Sequence, residues 1–294
     1  MRSRALAFAL VVLAALAACR RRYHPETCDP GQSGQWTPSD QRPQITGKSA
    51  GCPGLPSPRG LQKGTVSVDG HERTYLLEPA YAVSAGVPAP LVFVWHGLGG
   101  SGSRAYERFG MAEAVAGRAV VVFPDALASE GFGGKAGWDL RRNGTDVAFF
   151  DQLLEKISRA SCIDLGRVFS TGHSFGGWMT NRIGFLRGSR LRGIAPGAGG
   201  LSPHDCGARP LATMIIHATN DPTVSFEDGA AAEHMWSTAA GCRATTNPVP
   251  GAWPCVAHDG CAPRAPVLLC AHREYHSWPP FAAPAIWAFF DGLR

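Results

Sequence analysis

The chain has 294 residues, 45% of them hydrophobic and 17% charged, which suits one globular α/β domain of roughly 230–250 residues plus an N-terminal segment. Such a domain buries about three quarters of its unfolded surface and needs no partner to be stable. The formal charge of +5 falls to +3 without Arg2 and Arg4, and no basic stripe carries interleaved aromatics, so nucleic acid is excluded as the expected partner.

Residues 1–18 read as a signal peptide of the lipoprotein type. Arg2 and Arg4 form its basic end, and Ala5 to Ala15 an apolar core too short to span a bilayer. Leu16-Ala17-Ala18-Cys19 is similar to a lipobox, which makes Cys19 the expected lipid-bearing residue. Cleavage after Ala17 is the alternative. With a lipid on Cys19, Arg20, Arg21 and Arg22 would lie at the membrane surface. Export, to the cell envelope or the medium, is expected on either reading. Residues 19–60, rich in Pro, Gly, Ser and Gln without periodicity, read as a tether and N-terminal extension.

From residue 61 the pattern changes. Thr65–Val68 and Thr74–Leu77 flank Asp69-Gly70 and predict a hairpin. Leu91–Trp95 and Ala119–Phe123 are continuous apolar runs, as in parallel strands covered on both faces. Arg104–Ala116 between them predicts a helix. Val147–Ser158 predicts another, with Asp146 near its positive end. Arg167–Ser170 predicts a strand and Trp178–Leu186 a helix. Further on, Leu211–Ile216 and Val267–Ala271 read as strands, Glu227–Trp236 and Ala282–Phe290 as helices. The alternation predicts a mostly parallel, doubly wound sheet flanked by helices, with its chemistry at the strand ends.

The most informative segment is Gly172-His173-Ser174-Phe175-Gly176-Gly177, set between a strand and a helix. It fits a sharp turn that holds out a nucleophilic serine, with glycines avoiding a clash between the two elements. Serine needs a base oriented by a third group, and in α/β-hydrolases the chain order is serine, acid, histidine. Asp221 follows the 211–216 strand, and His276 lies near the C-terminus. His272 is a rival better suited to a structural place, and His204, His234 and His258 read as surface residues. The oxyanion needs two donors. The amide of Phe175 is one, and Leu98 in His96-Gly97-Leu98-Gly99-Gly100 is the choice for the other, with Gly97 or Gly99 open. That loop lacks both the lysine of a phosphate loop and a dinucleotide fingerprint, so no nucleotide is expected.

Apart from Cys19, the cysteines are Cys28, Cys52, Cys162, Cys206, Cys242, Cys255, Cys261 and Cys270. An even set in an exported chain predicts disulfides, with the pairing open and a stapled loop between Cys242 and Cys270. The spacing lacks the paired C-x-x-C units of zinc sites.

Over about residues 49–294 the chain resembles the secreted polyhydroxybutyrate depolymerase-like esterases, which include feruloyl esterases. The resemblance rests on Ser49-Ala50-Gly51-Cys52, Gly70-His71-Glu72-Arg73-Thr74-Tyr75, Phe123-Pro124-Asp125-Ala126, Gly137-Trp138-Asp139, Gly144–Phe149, Cys162–Met179 and His276-Ser277-Trp278-Pro279. Tyr275 stands where the family usually has glycine. The resemblance implies a disulfide-stapled α/β-hydrolase fold, with residues 61–294 as the catalytic domain. It also implies ester hydrolysis through an acyl-enzyme by Ser174, Asp221 and His276, without metal or organic cofactor. Trp138 and Trp278 are expected to flank an aromatic acyl group. Hydroxycinnamate esters are the favoured substrates, with hydroxyalkanoate oligomers and acetylated xylan as alternatives. A non-catalytic surface lipoprotein on the same fold is the reading from another class.

Overall fold

The Asp69-Gly70 turn, both residues at left-handed φ (48° and 79°), joins β1 (Gln62–Val68) to β2 (His71–Glu78) in an antiparallel hairpin. The computed structural model describes residues 44–52, 59–202, 205, 208–251 and 253–293. The signal peptide, Cys19, Cys28, Cys206 and His204 lie outside the described residues.

The apolar runs become β3 (Ala89–Trp95) and β4 (Val120–Pro124), buried at every position. With β7 (Ile163–His173), β8 (Gly193–Gly197), β9 (Ala212–Ala218) and β12 (Val267–His272) they form the parallel heart of a ten-stranded sheet ordered β1-β2-β4-β3-β7-β8-β9-β12-β11-β10. β11 (Cys255–His258) and β10 (Thr246–Pro248) close one edge antiparallel, and β5 (Ala128–Ser129) and β6 (Lys135–Ala136) form a separate ribbon. Along β3, Leu91, Phe93 and Trp95 join one core cluster and Val92 and Val94 the other, as the two-residue period of a strand requires.

Helices α3 (Thr145–Ala160), α4 (Phe175–Arg187), α5 (Phe226–Ala239) and α6 (Ala282–Gly292) extend the predicted segments by a turn or less. The helix expected over residues 104–116 is two: α1 (Gly102–Phe109) ends at Gly110, whose φ of 65° lets the chain turn into α2 (Met111–Val115).

Disulfides join Cys52 to Cys162, Cys242 to Cys261 and Cys255 to Cys270. The last two staple the β10–β12 edge. The first holds the N-terminal extension onto the domain, where Ser49 also bridges the Ser161 carbonyl (2.8 Å) and the Ile163 amide (2.9 Å). Because the Cys52–Cys162 bridge spans 110 residues, it strongly restricts the unfolded chain. Replacing both cysteines by serine should therefore cost about 2–5 kcal/mol in a denaturant titration.

Candidate active site

Ser174 stands between β7 and α4 at φ 58° and ψ −121°, a conformation that non-glycine residues rarely adopt. The flanking glycines are required by contact. A Cβ on Gly172 would lie 2.6 Å from the carbonyl oxygens of Gly176 and Trp95, and one on Gly177 2.5 Å from that of Gly197. One on Gly176 would collide with the Trp95 carbonyl.

Asp221 and His276 arrive at this turn from the loops after β9 and β12. His276 Nε2 lies 2.9 Å from Ser174 Oγ, and Nδ1 lies 2.7 Å from Asp221 Oδ2. An ionised carboxylate only accepts, so Nδ1 carries the proton and Nε2 is left to receive the serine hydroxyl. Asp221 Oδ1 accepts from the Thr223 and Val224 amides at 2.8 and 2.9 Å. Burial pushes the Asp221 carboxyl up, but the His276 hydrogen bond and these amides outweigh it and hold the group below the usual carboxylate range. His217, buried behind Asp221, bonds the Val224 carbonyl at 3.1 Å, and burial lowers its pKa.

The other histidines are elsewhere. His272 ends β12 with Nδ1 accepting the Glu274 amide (3.2 Å), a structural place. His234 is exposed. His258, expected at the surface, is instead largely covered, paired with Glu233 and bonded to the Arg243 carbonyl. His173, the neighbour of Ser174, packs against His276 (ring centroids 4.8 Å), and burial with that neighbour drives its pKa down to about 3.

Tyr275, where the resemblance leads one to expect glycine, has φ 54° and is 65% exposed. Its amide donates to Asn220 Oδ1 (3.2 Å), which holds the loop in this left-handed geometry despite the side chain. Tyr275→Gly should relieve that strain and stabilise the fold by about 0.5–1 kcal/mol, after glycine's greater unfolded-state freedom is counted. A thermal melt reads it.

The Gly97–Gly100 loop borders the serine. A Cβ on Gly97 would stand 3.8 Å from Ser174 Oγ. The Gly99 amide donates to the Ala136 carbonyl (2.7 Å) and the Gly100 amide to the Gly97 carbonyl (2.9 Å). His96 fixes the loop from behind: Nε2 accepts the Ala126 amide (3.0 Å), so Nδ1 donates to the Gly97 carbonyl (2.7 Å). The Phe175 amide opens α4, where the helix dipole is positive.

A cavity of about 700 Å³ adjoins the residue after the serine, with Phe132, Trp138, Phe175 and Trp178 among its walls. Trp138 is nearly fully buried, its indole N–H donating to the His96 carbonyl at 2.7 Å. Trp278 is not part of this wall. It stacks on Phe109 (4.6 Å, 15°) and donates to the Phe109 carbonyl (2.8 Å), so the structure does not bring the two tryptophans together around one cavity.

Two buried ion pairs brace the same cavity. Arg73 Nη2 lies 2.6 Å from Asp146 Oδ1, with its guanidinium 4.0 Å above Phe149. Asp146 Oδ2 accepts the Asp139 amide at 2.6 Å, which ties the Trp138 segment to α3. Burial raises the Asp146 carboxyl despite Arg73. Arg182 of α4 pairs with fully buried Asp205, whose carboxyl burial pushes up to about 6. Arg182 carried a visible signal, a charged residue inside the predicted helix 178–186 that demands a partner if its face is buried, whereas Arg73, Asp146 and Asp205 lay outside the predicted elements.

No family model matches the chain. A probable feruloyl esterase C of Aspergillus terreus is 30% identical over 262 residues, covering 83% of this chain and 92% of its own. Feruloyl esterase C of Emericella nidulans is 29% identical, covering 82% of this chain and 91% of its own. Among solved structures, an acetyl xylan esterase from Aspergillus awamori aligns with a TM-score of 0.63 over 79% of this chain and 99% of its own at 14% identity, a likeness of fold. The chain belongs to the feruloyl esterase C family of carboxylic-ester hydrolases, on an α/β-hydrolase fold.

Proposed function

We propose that this esterase hydrolyses hydroxycinnamoyl esters through an acyl-enzyme on Ser174. The observation that carries the reading is the hydrogen-bonded chain from Ser174 through His276 to Asp221, beside a large cavity with aromatic walls. Ser174 Oγ attacks the ester carbonyl carbon as its proton passes to His276 Nε2. The amides of Phe175 and of Leu98, with Gly97 as the alternative, donate to the oxyanion; those of Gly99 and Gly100 already have acceptors. Collapse expels the alcohol, which takes the proton from His276. Water then attacks the acyl carbon, gives a proton to His276, and releases the acid while Ser174 is restored.

The aromatic acyl group occupies the cavity walled by Trp138, Phe175 and Trp178. The names of the relatives favour ferulate. Cys19 carries the lipid that tethers the exported enzyme to the envelope, and the disulfides fit an oxidising compartment. The test is acid release from methyl ferulate, p-nitrophenyl acetate and 3-hydroxybutyrate oligomers. Highest kcat/KM on methyl ferulate is expected, and preference for hydroxybutyrate oligomers overturns the substrate assignment.

A further inference from the structure

A second cavity, of about 330 Å³, opens on the Gly97–Gly100 loop. Arg104, Arg108 and Lys135 line it, together with His173, and among the described residues no carboxylate does. The three cations come from two elements, α1 and β6, and two of them reach one glycine. Arg104 Nη1 donates to the Gly99 carbonyl (3.4 Å), and a Cβ on Gly99 would stand 3.7 Å from Lys135 Cδ, so the lysine stem runs along the same residue. Helix preference does not explain Arg104. It sits in the first turn of α1, which holds no acidic residue, and a cation there opposes the helix dipole. The carboxylate of Asp125 is directed away to the Gly102 amide (2.7 Å) and the Thr74 hydroxyl (2.8 Å). Burial keeps His173 uncharged, so the field in this cavity comes from the three long side chains.

We propose that this cavity binds a carboxylate carried by the alcohol half of the ester, so that esters of hydroxy acids or uronic sugars are favoured over neutral ones. The inference rests on the assignment of the aromatic cavity to the acyl group, which leaves the cationic one for the alcohol. The cationic cavity is lined by the loop that borders Ser174, and the aromatic one by Phe175, the residue after it. The site therefore sorts substrates by the charge of the leaving group, separately from the acyl selection made beside Phe175.

The experiment compares matched pairs that differ only in that charge. The first pair is chlorogenate (the caffeoyl ester of quinic acid) and its methyl ester, followed by caffeate release. The second is the 3-hydroxybutyrate dimer and its methyl ester. The wild-type enzyme should favour the anionic member of the first pair by about tenfold in kcat/KM, the sum of a few solvent-facing charge contacts. Salt should shrink the ratio. Arg108→Gln, which leaves the Arg104 bond to the Gly99 carbonyl in place, should lower it to about threefold, while turnover of the neutral methyl ester and the melting temperature stay unchanged. No anionic preference of the wild type on either pair, a ratio that survives the substitution, or equal loss on both members overturns the proposal. A charge preference confined to the hydroxybutyrate pair keeps the subsite and identifies the carboxylate as that of a polyester chain end. Methyl ferulate, run alongside, reports on the acyl assignment independently.

Discussion

Replacing Ser174 by alanine is expected to lower kcat on methyl ferulate by about 10⁴–10⁶-fold, the loss seen when a serine nucleophile is removed and only binding and oxyanion donors remain. The reason is local. The strained turn aims Oγ at His276 Nε2, and among the described residues no second hydroxyl shares that position in the hydrogen-bonded chain. Alanine keeps the backbone geometry, including the Ser174 amide bond to the Gly197 carbonyl (2.9 Å), and creates no clash. The melting temperature should accordingly stay within about 2 °C of wild type. An enzyme that keeps a tenth of its activity would remove Ser174 from the mechanism. A large fall in melting temperature would instead mean that the loss reflects folding.

Breaking the Arg73–Asp146 pair should be the most damaging change to stability. Both side chains are almost completely buried, and the pair holds β2 to the start of α3. Arg73→Ala leaves the buried Asp146 carboxyl without its cation, and Asp146→Ala strands the guanidinium over Phe149. Each single variant should lose about 3–5 kcal/mol in denaturant titration. The double change Arg73→Met with Asp146→Leu should recover most of that loss, because apolar groups of similar size need no partner. Additive losses in the double variant would show that packing, not the uncompensated charge, is what the single changes remove. The Asp146 variants should also weaken catalysis, since the Asp139 amide bond that they remove positions Trp138 on the cavity wall.

These effects differ in how far they could be read beforehand. The serine turn was legible because its requirement is local: glycines within three residues, between a strand and a helix. Asp221 and His276 were legible from chain order, although 55 residues separate them and 102 separate His276 from Ser174. The Arg73–Asp146 pair was hidden because its partners are 73 residues apart and meet only when β2 lies beside β4 and α3. The disulfide pairing was hidden for the same reason. Trp278 shows the limit of motif reading, since a tryptophan two residues from His276 faces Phe109 rather than the aromatic cavity. Gly110 shows the reverse, a single residue whose left-handed backbone divides one amphipathic pattern into two helices. Tyr275 departs from the expected glycine, yet the backbone keeps the geometry that favours glycine.

The most direct test of the central claim is rapid acid quenching of the enzyme during turnover of methyl ferulate, followed by peptide mass mapping. A feruloyl adduct on the peptide carrying Ser174, absent from Ser174→Ala, is the predicted result. Steady ferulate release with no adduct, or with the adduct on another residue, would contradict the account.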